Sequence, residues 1–279
     1  MKKRFFVFVG LLIWSQSIQS QMRFYFGKPD FSNSTVLLND GKILVGEVQD
    51  FSSPNTVEFS GGMAMSASEG FESNFNFDRK KIKFRKSKTD SFRFIPSDSI
   101  DIIHFFDEEL NKTVEYKRLK IVKSINGKIT ETKRTIFLPV FKKDAINLYG
   151  YHVYMNGRYA TTIFYLNNPK DNIAINPYDL SIVEVLAARK KSKERVISCY
   201  KFVSENCQSF HKWLDEEFIN EELEETNKQY IKTWKEERKE GKKKLKTKEE
   251  KTEFEKQKWT EFYMNTFTPA IEKYKQFCK

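Results

Sequence analysis

The stretch spanning residues 137–166 sets the tightest limit on what this chain can fold into. It reads FLPVFKKDAINLYGYHVYMNGRYATTIFYL, with Asn156-Gly157 between two aromatic-rich runs. Asn-Gly favours a two-residue type I′ turn, because both central residues take positive φ. The stretch therefore predicts a hairpin with a definite register. Counting outward from the turn pairs Tyr154 with Tyr159, His152 with Thr161, Gly150 with Ile163 and Leu148 with Tyr165 on one face. The other face pairs Val153 with Ala160, Tyr151 with Thr162 and Tyr149 with Phe164. Both faces carry large apolar groups. A sheet with water on one side does not tolerate that, so the hairpin is expected to be covered on both sides or to belong to a closed barrel.

The same period-2 alternation runs through residues 35–176. Asp40-Gly41 joins Val36-Leu37-Leu38 to Ile43-Leu44-Val45, and a two-residue turn there sets Leu38 against Ile43 and Val36 against Val45. Residues 91–95 alternate with Phe92 and Phe94 on one side, and Asn126-Gly127 joins a longer, polar pair of strands. The expected architecture is α+β: an antiparallel β meander of about eight to eleven strands, closed as a barrel, sandwich or bent sheet, followed by a helical C-terminal region. Three segments are expected: a signal peptide over 1–20, the β domain over 21–178 and the helical region over 179–279. Residues 179–188 fit either a last strand or a helix.

Within the helical region, apolar residues recur at helical spacing over 193–203, 207–239 and 248–265. Thr268-Pro269 reads as the cap and first residue of a short terminal helix. Gly241 marks the bend of a long antiparallel helical hairpin whose tip carries Lys242, Lys243, Lys244 and Lys246. Folding back at Gly241 returns Cys278 to within about a turn of Cys207. A Cys207–Cys278 disulfide is therefore expected, worth roughly 4 kcal/mol for a loop of about 70 residues. Cys199 is an alternative partner if residues 204–206 form a turn.

The N-terminus has the pattern of an export signal. Lys2, Lys3 and Arg4 precede an apolar run over 5–14 and a small, polar cleavage region, with cleavage expected after Ser20. An exported chain meets an oxidising environment, which suits the disulfide. The formal net charge is +11, of which three charges belong to that leader. The rest is spread, with 23 basic and 18 acidic residues over 21–178 and 23 and 20 beyond. A nucleic-acid protein concentrates such charge on a face or stripe, so no nucleic acid is expected as partner. No later run is long enough to span a bilayer.

Catalytic signals are thin. Cys207 and His211 have a zinc-like i, i+4 spacing but no second pair, so no metal or other cofactor is expected. His104 and His152 are possible general bases without a visible nucleophile. Ser198 and Ser209 each fit Ser-x-x-Lys without the supporting motifs. The tyrosine-rich hairpin offers Tyr149, Tyr151, Phe164 and Tyr165 as the lining of a ligand cavity, and the lysine tip offers a contact with a partner or an anionic surface.

The order of elements resembles a loose group of uncharacterised exported proteins of Bacteroidetes. The resemblance rests on a leader ending in Gln21, on Leu37-Leu38-Asn39-Asp40-Gly41-Lys42-Ile43, on Phe137-Leu138-Pro139-Val140 through Ile146-Asn147-Leu148-Tyr149, and on the helix running into Cys207. It implies export and transfers no activity or residue role. The sequence thus points to an exported cell-envelope protein that acts by binding, as an interaction or structural protein with an unknown protein or envelope component as partner. The alternatives are a β-domain carrier of a hydrophobic small molecule and an envelope hydrolase.

Overall fold

The computed structural model describes residues 23–25, 31–49, 56–60, 80–107, 112–125, 127–155, 158–177, 189–218 and 221–278. The leader, Asn126, Asn156-Gly157 and residues 179–188 lie outside them. The strands are β1 (Arg23–Tyr25), β2 (Phe31–Leu38), β3 (Ile43–Gln49), β4 (Thr56–Ser60), β5 (Lys81–Arg85), β6 (Arg93–Pro96), β7 (Ile100–Asp107), β8 (Lys112–Ile125), β9 (Lys128–Lys142), β10 (Asn147–Met155), β11 (Arg158–Asn167) and β12 (Ile173–Ile175). Four helices follow: α1 (Arg189–Val203), α2 (Gln208–Glu216), α3 (Glu221–Lys243) and α4 (Lys248–Cys278). None of these helices is long and apolar enough to cross a membrane.

Strands β8 to β12 close into a five-stranded barrel: β8 pairs with β9, β9 with β10, β10 with β11, β11 with β12, and β12 returns to β8. A ring with an odd number of strands cannot alternate direction all the way round. One neighbouring pair must run parallel, and it is β12 with β8, where Ala174 lies beside Ile121. β4 also runs parallel to β10. These two pairs correct the expectation of a wholly antiparallel meander. The barrel interior is filled by Leu119, Ile121, Ile136, Leu138, Tyr149, Tyr151, Val153, Tyr165 and Ala174, a cluster drawn from all five strands.

The register of β10 and β11 departs from the simple count. Tyr154 still faces Tyr159, but a β-bulge follows, and Val153 then faces Thr161, Tyr151 faces Ile163 and Tyr149 faces Tyr165. The extra residue turns the rest of β11 over. Tyr165 therefore points into the barrel with Tyr149, and Phe164 points out against Phe267 and Tyr263 of α4, at 5.3 and 5.9 Å between ring centres. Gly150 sits opposite Phe164, and a Cβ there would meet the Ile163 carbonyl oxygen at 2.0 Å. The outside of the barrel is covered on this side by Val196, Ile197, Tyr200 and Val203 of α1, Phe210, Trp213 and Leu214 of α2, and Phe267, Ala270 and Ile271 of α4.

The helical boundaries also differ from the pattern. The expected 207–239 helix breaks after α2, where the Phe218 N–H bonds the Trp213 carbonyl at 3.1 Å and the Phe218 ring packs on Tyr200 and Trp213. Burial of that ring outweighs continuation of the helix. α4 runs unbroken through Pro269, where a new helix had been expected, and the Thr268 hydroxyl donates to the Met264 carbonyl. Gly241 lies within α3 rather than at a bend, and its missing Cβ makes room for the Phe254 ring, which a Cβ would meet at 2.3 Å. Along α3 and α4, Tyr230 stacks on Phe262, Trp234 meets Trp259 and Arg238 reaches Glu255. Thr247 and Glu250 cap α4 reciprocally. Cys207 and Cys278 form a disulfide with their Cα atoms 5.8 Å apart, and Cys199 is a buried free thiol.

Candidate functional site

A second sheet, in the order β7–β2–β3–β5–β6, extends from β8. Its inner face holds Val36, Val48, Ile82, Phe84, Ile95, Ile103 and Phe105, which pack with Val114, Tyr116 and Phe137. Its outer face carries the alternate residues. The registers place Asn33, Thr35 and Leu37 of β2 beside Glu47, Val45 and Ile43 of β3, Arg85 beside Glu47, Phe94 beside Lys83, and His104 beside Thr35.

This face is unusual for its apolar content. Val45 is 69 % exposed, Ile43 nearly as much, and Phe92, Phe94 and Phe106 close to half. The turn between β2 and β3 explains how Val45 comes to lie there. The Leu38 N–H bonds the Lys42 carbonyl across three residues, Asn39-Asp40-Gly41, with Gly41 at φ 83°. The expected two-residue turn becomes a three-residue one, the type in which a glycine in the left-handed region follows a type I turn. Thr35 rather than Val36 then faces Val45, and Val36 takes the core with Leu44 beside it.

Two shallow hollows share the face. One, of about 550 Å³, is lined by Thr35, Val45, Glu47, Lys86, His104 and Phe106. The other, of about 570 Å³, is lined by Ile43, Val45, Arg85, Lys86, Phe92 and Arg93. Val45 and Lys86 belong to both, so the hollows adjoin. His104, which lines the first, donates from Nε2 to Glu115 at 3.1 Å, and Glu115 also accepts from Lys143 Nζ at 2.7 Å. At the boundary, Arg85 Nε donates to Glu47 at 2.5 Å while its guanidinium lies 4.0 Å from the centre of the Phe31 ring. Beyond it, the Lys81 ammonium sits 4.1 Å over Phe94 and that of Lys83 5.1 Å over Phe92. The face offers apolar contact and positive charge, with no activated nucleophile among these groups.

The residues singled out from the sequence lie elsewhere. Tyr149, Tyr151 and Tyr165 are fully buried in the barrel interior, and burial pushes the Tyr149 phenol well above its usual range, with Glu115 adding to the effect. Phe164 is on the opposite side of the sheet, against α4. At the helical tip, Lys242 is engaged by Glu255 at 2.8 Å and Lys243 by Glu240 at 2.7 Å, while the Lys246 N–H bonds Glu250 and the Lys244 N–H bonds the Gly241 carbonyl. His211 Nε2 donates to the Ser204 carbonyl at 3.0 Å, and the Cys207 sulfur is held in the disulfide. The Ser198 hydroxyl bonds the Arg195 carbonyl at 2.7 Å. His152 is buried between Phe141 and Tyr159, with Nδ1 2.9 Å from the Thr162 hydroxyl. No group of three His, Cys, Asp or Glu suited to a metal occurs among the described residues.

The outer face escaped the sequence reading, although Lys81, Lys83 and Arg85 alternate with Ile82 and Phe84 in a readable period of two. Comparison of the chain with known protein families, curated proteins and solved structures finds no match.

Proposed function

We infer that this chain is an exported, non-catalytic binding protein of the cell envelope and that the outer face of the β7–β2–β3–β5–β6 sheet is its contact surface. The observation that carries the reading is the set of exposed apolar side chains, Ile43, Val45, Phe92, Phe94 and Phe106, gathered on one sheet face beside two hollows. Exposed large apolar side chains gathered on one face are the usual mark of an interaction site. The export-type leader and the Cys207–Cys278 bridge suit an oxidising compartment. The three tyrosines offered to a small-molecule carrier are packed among the aliphatic groups of the barrel, and a ligand there must displace them. The two lysines at the head of the helical tip are neutralised within the molecule, which favours the sheet over the helical arm as the contact.

The test is site-specific photo-cross-linking in the native envelope. A photoreactive side chain at Val45 is expected to give a discrete adduct, and the same group at exposed Glu253 none. Absence of an adduct at Val45, or equal adducts at both sites, overturns the reading.

A further inference from the structure

We propose that the β5–β6 half of the contact face binds a linear acidic polysaccharide. The inference rests on the reading of the outer sheet as the contact surface and adds the chemistry of its occupant. Between residues 80 and 93 the chain carries seven basic residues, Lys80, Lys81, Lys83, Arg85, Lys86, Lys88 and Arg93, and one acid, Asp90, whose carboxylate accepts from Ser87. Some lysines elsewhere find carboxylates, Lys120 with Glu131, Lys142 and Lys275 with Asp144, Lys143 with Glu115, Lys201 with Asp215 and Lys242 with Glu255, while others such as Lys112, Lys117, Lys244 and Lys246 have none among the described residues. Lys81, Lys83, Lys86, Lys88 and Arg93 have no carboxylate partner among the described residues. Unpaired basic side chains are thus dense on the same strands that expose Phe92 and Phe94.

The arrangement suits a polymer. Lys81, Lys83 and Arg85 project from one face at two-residue steps, about 6.8 Å apart, and of the three only Arg85 is paired, with Glu47. Lys86 and Lys88 prolong the line into the turn after β5. A regular row of charges matches a chain with repeated acidic groups better than a single small anion. The phenylalanines are already engaged. Lys81 covers a face of Phe94, Lys83 covers a face of Phe92, and the two rings meet edge to face at 5.5 Å. Free ring faces are what stacked nucleobases require. Here the rings instead hold the ammonium groups in place, so the surface presents charge rather than stacking platforms.

The experiment titrates the exported, disulfide-bonded chain with polygalacturonate, with neutral dextran and oligo-dT as comparisons. Three proteins are used: wild type, Lys81→Glu/Lys83→Glu, and the charge-matched Lys244→Glu/Lys246→Glu on the helical tip. Wild type is expected to bind polygalacturonate, to ignore dextran, to bind oligo-dT more weakly, and to lose affinity as salt rises. The strand variant should lose at least about tenfold and the tip variant less than about twofold, a difference of roughly 1.4 kcal/mol per factor of ten. Equal losses in both variants, tighter binding of oligo-dT, or no binding of polygalacturonate overturns the assignment. If polygalacturonate does not bind but the Val45 probe still cross-links, the polysaccharide falls and the contact face stands; if the cross-link is absent too, both fall.

Discussion

His152 is a buried imidazole whose surroundings oppose a proton. Burial, followed by the positive charges of Lys256 and Lys112, pushes its pKa from 6.5 down to about 3. The unfolded chain therefore takes up a proton near pH 6.5 that the folded chain refuses until near pH 3. Stability is full above pH 6.5 and is lost as pH falls through that window. A thermal-melting series should show a loss on the order of a few kcal/mol between pH 7 and pH 4, and His152→Gln should flatten that part of the profile. An unchanged slope in the variant contradicts the assignment. Gly150 makes a different prediction, since the Ile163 carbonyl fills the space of a Cβ and backbone cannot step aside cheaply. Gly150→Ala should cost about 1–3 kcal/mol, read from chemical denaturation, and a variant as stable as wild type would refute the close approach. Single residues also decide what could be read from the sequence. The alternation of Val36 with Thr35, and of Phe164 with Tyr165, was legible, but not which member faces the core. One residue in the Asn39-Asp40-Gly41 turn and one bulge beside Val153 settle that choice, and each inverts a strand face.

At the scale of elements, the strands between residues 31 and 175 and the helices after 189 were visible as periodic patterns, and a closed barrel was one of the expected arrangements, whereas the strand that closes it was not visible. Residues 173–175 are too short to announce a strand, yet β12 completes the barrel because Asn167 holds the chain there, donating to the Asp171 and Ile173 carbonyls at 3.0 and 2.8 Å. Pairing partners far apart in sequence leave no local signal, and neither does the fold-back of Phe218 that ends α2. The Cys207–Cys278 bridge was legible from helix geometry even though Gly241 proved not to be the bend. It ties the end of α4 to the start of α2, beside the Lys275 ammonium, which reaches Asp144 on the barrel at 2.7 Å. Cys278→Ser should lower stability by about 4 kcal/mol, and reductant should do the same to wild type and nothing further to the variant. Insensitivity of wild type to reductant would mean that the bridge does not contribute. Burial works to raise the Asp144 carboxyl, but Lys275, the Ala145 N–H and Lys142 together hold it at about 2. That contribution to docking of α4 is present above the usual 3.8 and is lost as pH falls towards 2. Asp144→Asn should remove this acid-dependent step.

At the scale of the molecule, the barrel interior and its helical cover are packed bodies of side chains, while among the described residues the outer sheet leaves one face exposed. Sequence alternation shows which residues share a face but not whether another element lies over it, and so the exposure of Val45, Phe92 and Phe94 was not legible. Net charge was equally uninformative. Summed over each half of the chain it looks even, which hides the local run of seven basic residues against one acid between residues 80 and 93. The central claim is that this face, and not the helical tip, meets the partner. The measurement is lysine-reactivity footprinting of the protein in its native cells against the purified chain. Lys81, Lys83, Lys86 and Lys88 are expected to be protected in the cells while Lys244 and Lys246 react equally in both. Protection of Lys244 and Lys246 with the strand lysines unchanged would contradict it.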